Sequence, residues 1–213
     1  MNLVEKSIFF ANENLTLTNQ RVVYWASKNI LILSDLHLGK AAHFRKNGIP
    51  VPVQISLEDL NRLNLLINYF QPKQVLIVGD LIHAGANNEL DFFKELIQNH
   101  HQTKFILIKG NHDRISENKL NSLGIYHIFK ELVIDNLHFI HQPESSKYQT
   151  ISGHVHPGIN VEFATKRMRF PCYVVTENQL ILPAFSAFTG LDASSILENQ
   201  ICYAFHEEGI FEI

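Results

Sequence analysis

A chain of 213 residues, 46% hydrophobic and 18% charged, has the size and composition of one globular domain, spanning 1–213, that buries a full core. A net charge of −3 with neutral histidines excludes a protein that coats nucleic acid or a membrane by bulk charge, so a polyanionic partner has to be held by a local patch or by metal. The opening Met-Asn-Leu-Val-Glu-Lys lacks the basic-then-apolar build of a secretory leader, and no run of about 18 apolar residues appears; a cytoplasmic protein with no membrane partner is expected.

Short apolar runs from Ser7 to Gln20 predict a hairpin, and Arg21 to Trp25 continues it as a further strand. Ile30 to Leu33 is an uninterrupted apolar run, as a parallel strand covered on both faces shows, and it ends on Asp35 and His37. Lys40 to Lys46 predicts a short helix stopped by Asn47-Gly48, with Pro50 and Pro52 in the loop beyond. Ser56 and Asp59 have capping-box spacing, and Leu57, Leu60, Leu63, Leu66, Ile67 and Phe70 keep a helical period up to Pro72. Lys73 to Val78 repeats the buried-strand pattern and closes on Gly79-Asp80-Leu81-Ile82-His83. A Gly-Ala-Asn-Asn turn at 85–88 leads into a helix over Glu89 to Asn99. Thr103 to Ile108 is the third such strand, closing on Lys109-Gly110-Asn111-His112-Asp113-Arg114.

A short helix from Ser116 to Leu123 and strands within Ile125 to Asp135 follow. In the next strand, Leu137, Phe139 and His141 share one face by period-two alternation, so His141, and not His138, leads into a site. Thr150 to Gly153 closes on Gly153-His154-Val155-His156, and from Val161 onward short alternating runs make a β-rich second half. Helices between strands and then hairpins predict an α/β fold: a four-layer α/β/β/α sandwich of two mixed sheets.

Two aspartates, an asparagine and several histidines thus recur at strand ends, where ligands of α/β sheets bind. Oxygen and imidazole donors without thiolate suit Zn, Mn or Fe, and the set is large enough for two adjacent cations, with Asp80 suited to bridge them. Cys172 and Cys202 form no CxxC pair and are expected as free thiols.

The ordered clusters Asp35-x-His37, Gly79-Asp80, Gly110-Asn111-His112-Asp113, His141 and Gly153-His154-x-His156 resemble the calcineurin-like metallophosphoesterase superfamily, whose motifs run D-x-H, G-D, G-N-H-D/E, H and G-H-x-H. The resemblance implies that Asp35, His37, Asp80 and His156 hold one divalent ion and Asp80, Asn111, His141 and His154 a second, with Mn favoured and Fe or Zn as alternatives. It also implies that His112 is no ligand but contacts the phosphate or protonates the leaving oxygen, with Asp113 orienting its ring. His37-Leu-Gly-Lys-Ala41, Phe44-Arg45, His83, Phe170-Pro-Cys172, Leu182-Pro-Ala-Phe185 and Phe188-Thr189-Gly190 narrow the resemblance to bacterial ligase-associated DNA-damage-response phosphoesterases, described as endonuclease-like. That group implies a phosphodiester substrate, DNA, and DNA-repair protein partners. One departure is visible: Leu191 stands where the group tends to have a second glycine after Phe-Thr-Gly.

Lys40, Arg45, Arg114, Arg167 and Arg169 are candidates for phosphate-binding charge, with solvated basic residues as the alternative for each. His83 stands either as a substrate contact or partner of the ligands, or as a surface residue. His43, His100, His101, His127, His138 and His206 are read as hydrogen-bonding or surface histidines. Two other functions fit the same residues: a phosphohydrolase of a nucleotide or lipid-linked diphosphate, and a non-catalytic scaffold.

Overall fold

The computed structural model describes residues 1–51, 54–83, 88–144, 146–194 and 200–213, without the side chains of 54–56. In chain order, β1 (Glu5–Phe10), β2 (Glu13–Thr18), β3 (Val23–Trp25) and β4 (Ile30–Leu33) lead to α1 (Lys40–Lys46), α2 (Gln54–Phe70), β5 (Gln74–Val78), α3 (Asn88–Asn99), β6 (Lys104–Ile108), α4 (Glu117–Leu123) and β7 (Ile125–Phe129). The second half is β-rich: β8 (Leu132–Ile134), β9 (Leu137–Phe139), β10 (Gln149–Ser152), β11 (Gly158–Glu162), β12 (Arg167–Val175), β13 (Gln179–Ile181), β14 (Ile201–His206) and β15 (Gly209–Glu212).

The first sheet runs β1 to β7 in sequence order, antiparallel as far as β4 and parallel from there to β7. After the polar first residues Gln74 and Lys104 of β5 and β6, the central strands β4, β5 and β6 are apolar because both their faces are covered. Leu31, Leu33, Val75, Ile77, Phe105 and Leu107 pack against Leu60, Leu63 and Leu66 of α2 and Phe93 of α3. The alternate residues Ile30, Ile32, Leu76, Val78, Ile106 and Ile108 pack against Phe139, Ile151, Tyr173 and Leu180 of the second sheet. That sheet has the order β15-β14-β12-β13-β10-β9-β8 and is also mixed, with β9, β10 and β13 parallel to one another. Its outer face carries a small cluster of Cys172, Val174, Ile181, Cys202 and Ala204 under Ile159, Phe170 and Phe211. No helix among the described residues covers that face.

The three parallel strands β4, β5 and β6 end side by side, with Leu33 opposite Ile77 and Val78 opposite Ile108. β9 and β10 end together as well, with Phe139 opposite Ile151. Every polar cluster of the sequence therefore emerges along one edge of the two stacked sheets.

Two local expectations are corrected or out of reach. α2 begins at Gln54, two residues before the expected cap at Ser56, and Asp59 makes no capping box. Its carboxylate is buried and instead accepts from Arg62 at 2.7 Å and from the Ala187 amide at 3.2 Å. Pro52 and most of the 85–88 turn lie outside the described residues. Ser116 caps α4, its hydroxyl accepting from Lys119 N at 3.3 Å.

Phe139 is fully buried between the sheets, its ring 6.3 Å from Trp25, and stands two residues before His141. Phe139→Ala is expected to cost about 3–5 kcal/mol through lost transfer energy and the cavity left behind. Urea denaturation followed by tryptophan fluorescence checks this.

Candidate metal centre

The turn after β4 is built by backbone bonds to the segment after β5. Asp35 N donates to Gly79 O (3.0 Å), His37 N to Asp80 O (2.9 Å), Leu38 N to Leu81 O (2.8 Å) and His83 N to Leu38 O (2.9 Å). Asp35, His37 and Asp80 have φ of 57, 52 and 51°, and His154 and His156 have 69 and 53°. The left-handed region costs a non-glycine residue on the order of 1 kcal/mol, and the neighbouring bonds hold all five side chains there.

Three glycines make room for ligands arriving from other strands. A Cβ on Gly79 would overlap the ring of His141, one on Gly110 the carboxylate of Asp80, and one on Gly153 the side chains of Ser34 and Asp35. Asp35 Oδ2 is held by His154 N at 3.0 Å and by the Ser34 hydroxyl, which leaves Oδ1 buried with no hydrogen-bond partner.

Two groups of donor atoms result: Asp35, His37 and His156 form one, and Asp80, His141 and His154 the other. In the first, Nε2 of His37 and of His156 stand 3.2 Å apart, and Asp35 Oδ1 lies 3.3 Å from His156 Nε2 and 3.9 Å from His37 Nε2. In the second, His141 Nε2 lies 3.4 Å from Asp80 Oδ2, 3.2 Å from His154 Nδ1 and 2.9 Å from Asn111 Oδ1. Donors about 2.0–2.2 Å from one cation stand about 3–4 Å apart, so both groups fit a divalent ion. The unpartnered Oδ1 of Asp35 fits too, because a buried carboxylate oxygen without a donor is costly unless a cation supplies the missing partner.

The protonation states of His37 and Asp80 agree with that fit. Burial holds the His37 imidazole down to about 3, so its ring is neutral and offers a lone pair. Burial opposes the charge of Asp80, but hydrogen bonds from His141 and the His112 amide hold it down to about 2. His141 is lowered by burial and raised by Asp80, with a net rise. Its Nδ1 lies 3.2 Å from Val78 O and donates there, which points Nε2 at the cluster. His138, in the same segment, instead meets Glu131 at 3.1 Å.

His112 and Asp113 separate. The His112 amide donates to Asp80 Oδ1 at 2.9 Å, and its ring nitrogens have no protein partner among the described residues. Asp113 does not orient that ring, contrary to expectation. Its buried carboxylate accepts from Ile82 N (2.8 Å) and Gly110 N (2.9 Å), tying the ends of two loops, and burial pushes it up to about 6.

The remaining candidates divide. His83 belongs to the site: its ring stacks on His112 at 4.8 Å and 29°, and stands 5.7 Å from His37. Lys40 is half-buried near Asp35 and Asp80, whose charges raise its pKa while burial lowers it further, for a net fall. Arg114 is exposed beside the cluster, Nε donating to Asn111 O at 3.2 Å. Arg45 turns to Val51 O at 3.3 Å and contacts no ligand. Arg169 binds Asn160 and Leu191 O, each at 3.0 Å, away from the cluster.

Several contributors escaped the sequence. The His43 ring lies 5.6 Å from His83, Gln142 Nε2 lies 3.4 Å from His154, and Glu89 accepts from Gly39 N at 2.6 Å at the start of α1. Residues 182–187 form a strap over the Asp35 turn, with Leu182 N donating to Ser152 O (2.7 Å), Phe185 N to Ser34 O (2.7 Å) and Ser186 N to Asp35 O (3.1 Å). Only the resemblance of Leu182–Gly190 to a family pattern hinted at this strap.

A sequence model described as calcineurin-like phosphoesterase matches residues 28–182. No curated protein matches the sequence. The crystal structure of the Pseudomonas putida nuclease MPE is similar over 99% of this chain and 100% of its own, with 27% identity and a TM-score of 0.85. YfcE, a phosphoesterase from E. coli, is similar over 86% of this chain and 97% of its own, with 13% identity and a TM-score of 0.44. A family match over most of the chain, coinciding with two convergent Asp/His ligand groups, leads to one conclusion: the chain belongs to the calcineurin-like phosphoesterase family and is a metal-dependent hydrolase of phosphoesters.

Proposed function

We propose that the protein is a two-metal phosphodiesterase whose substrate is DNA. The observation that carries the dimetal reading is the pair of ligand groups, Asp35/His37/His156 and Asp80/His141/His154. In this reading Asp80 would hold the second ion and contribute to the first: Oδ2 faces His141, and its charge also acts on His37. Asn111 completes the second group through Oδ1. When bound, the ions supply Lewis-acid stabilisation of phosphoryl oxygens and a water of lowered pKa; manganese is the ion proposed first, with iron or zinc as alternatives for this mixed N and O donor set.

The chain's own residues do the rest. His112, with an unengaged ring beside the ligand groups, donates a proton to the leaving oxygen, and an imidazole suits that role near neutral pH. His83 stacks on it and limits its rotation. Asp113 acts indirectly by clamping the Gly110–Asp113 turn to the segment after Asp80. Lys40, coupled to Asp35 and Asp80, and Arg114, bonded to Asn111 O, supply positive charge for the phosphate oxygens.

Full-length similarity to a protein named as a nuclease supports a nucleic acid over a nucleotide or a lipid-linked diphosphate, and DNA is the nucleic acid proposed first. Repair in the cytoplasm is the setting this reading implies; no helix among the described residues is long and apolar enough to cross a membrane.

Hydrolysis of bis(p-nitrophenyl) phosphate, lost on chelation and restored by Mn, tests the reaction, and cleavage of single-stranded and duplex DNA tests the substrate. Asp80→Asn is expected to lose several kcal/mol of transition-state stabilisation, on the order of 10³-fold in turnover, together with at least one metal per chain by elemental analysis. His112→Asn is expected to keep both metals and lose about 10²–10⁴-fold in kcat. An emptied centre in His112→Asn would make it a ligand instead.

A further inference from the structure

A pocket of about 350 Å³ that shares no residue with the ligand groups is lined by Arg21 and Arg62. Phe170, Phe205, Ala187 and Glu207 line it as well. Arg21 has φ 68°, and its Nη1 donates to Ala184 O at 2.8 Å. Arg62 Nη2 donates to Asp59 Oδ1 at 2.7 Å and to Phe185 O, and its guanidinium lies 4.4 Å from the Phe185 ring centroid.

Each guanidinium carries five N–H donors. Among the described residues, Nε and Nη2 of Arg21 and Nε and Nη1 of Arg62 meet no acceptor, and Nε of Arg62 is buried. Asp59 is the only carboxylate that either arginine bonds among the described residues. Burial, and next the charge of Arg62, bring Arg21 down to about 10, as two cations sharing a low-dielectric recess require.

We propose that this pocket binds a small phosphate-bearing anion. The N–H groups these two guanidiniums leave free are donors of the kind that phosphate oxygens accept. The volume suits a ligand as large as a mononucleotide, and the Phe205 ring that lines the pocket already carries the Arg21 guanidinium 5.8 Å from its centroid. The pocket is separate from the metal centre, so its occupancy does not require hydrolysis there. The strap connects the two: the arginines hold its carbonyls at Ala184 and Phe185, and its amides hold Ser34 and Asp35.

Calorimetric titration with inorganic phosphate, and separately with adenosine monophosphate, tests this in Asp80→Asn protein and in chelated wild type, where the metal centre is disabled. One saturable site is expected in both. Arg21→Gln and Ala187→Asp should each weaken it at least tenfold, and Glu207→Gln should tighten it. Ala187→Asp leaves both arginines in place, so it reads the pocket even if Arg21→Gln fails to fold. Tighter binding of the monophosphate identifies a nucleotide ligand, and equal binding identifies free phosphate. Absence of a saturable site, or affinity unchanged in Ala187→Asp, would overturn the assignment.

Discussion

Asp35 is bonded through every polar atom but one. Its amide is held by the loop after β5, its carbonyl by the strap, and its Oδ2 by the His154 amide and the Ser34 hydroxyl. These partners come from four separate parts of the chain and from both sheets. The one free atom, Oδ1, is the one aimed at His37 and His156. A carboxylate fixed at three points loses no further conformational entropy on binding a cation, and its desolvation has already been imposed by folding.

The same economy explains the backbone. Turning a chain sharply at a strand end while presenting its side chain inward requires left-handed φ, and five ligand-type residues adopt it. Strain of this kind persists only where surrounding bonds over-determine the conformation. Here the strip from Asp35 to Leu38 is laid along the strip from Gly79 to Leu81, so each holds the other in register. Glycines at 79, 110 and 153 then serve proximity: each clears the space that a ligand from a neighbouring strand occupies.

Around this core the polar groups divide into those that brace and those that stay available. Asp113, Asp59 and Glu89 spend their carboxylates on backbone amides and, for Asp59, on an arginine. His112 keeps its ring unengaged, and His83 and His43 continue an aromatic file outward from it. Arg21 and Arg62 brace the strap from behind with donors to spare. Leu191, where a glycine was expected, packs its Cβ against Gly158, and its carbonyl receives Arg169, so a side chain is accommodated there by the next turn.

The order of the strands in the first half and the C-terminal ends of β4, β5 and β6 were legible in the sequence, because burial on both faces demands uninterrupted apolar runs, whereas β11 and the start of β12 were not. What Asp113, Asp59 and His43 do was not legible. A carboxylate three residues from a helix start looks like a cap, and one next to a histidine looks like its partner, until the position of distant amides is known. Contacts such as Arg21 to Ala184 or Ser186 to Asp35 join residues more than 100 positions apart. Local pattern determined which residues end each strand; only the stacking of the two sheets decided which of those ends face one another, because hydrogen bonds depend on distance in space and not on separation along the chain.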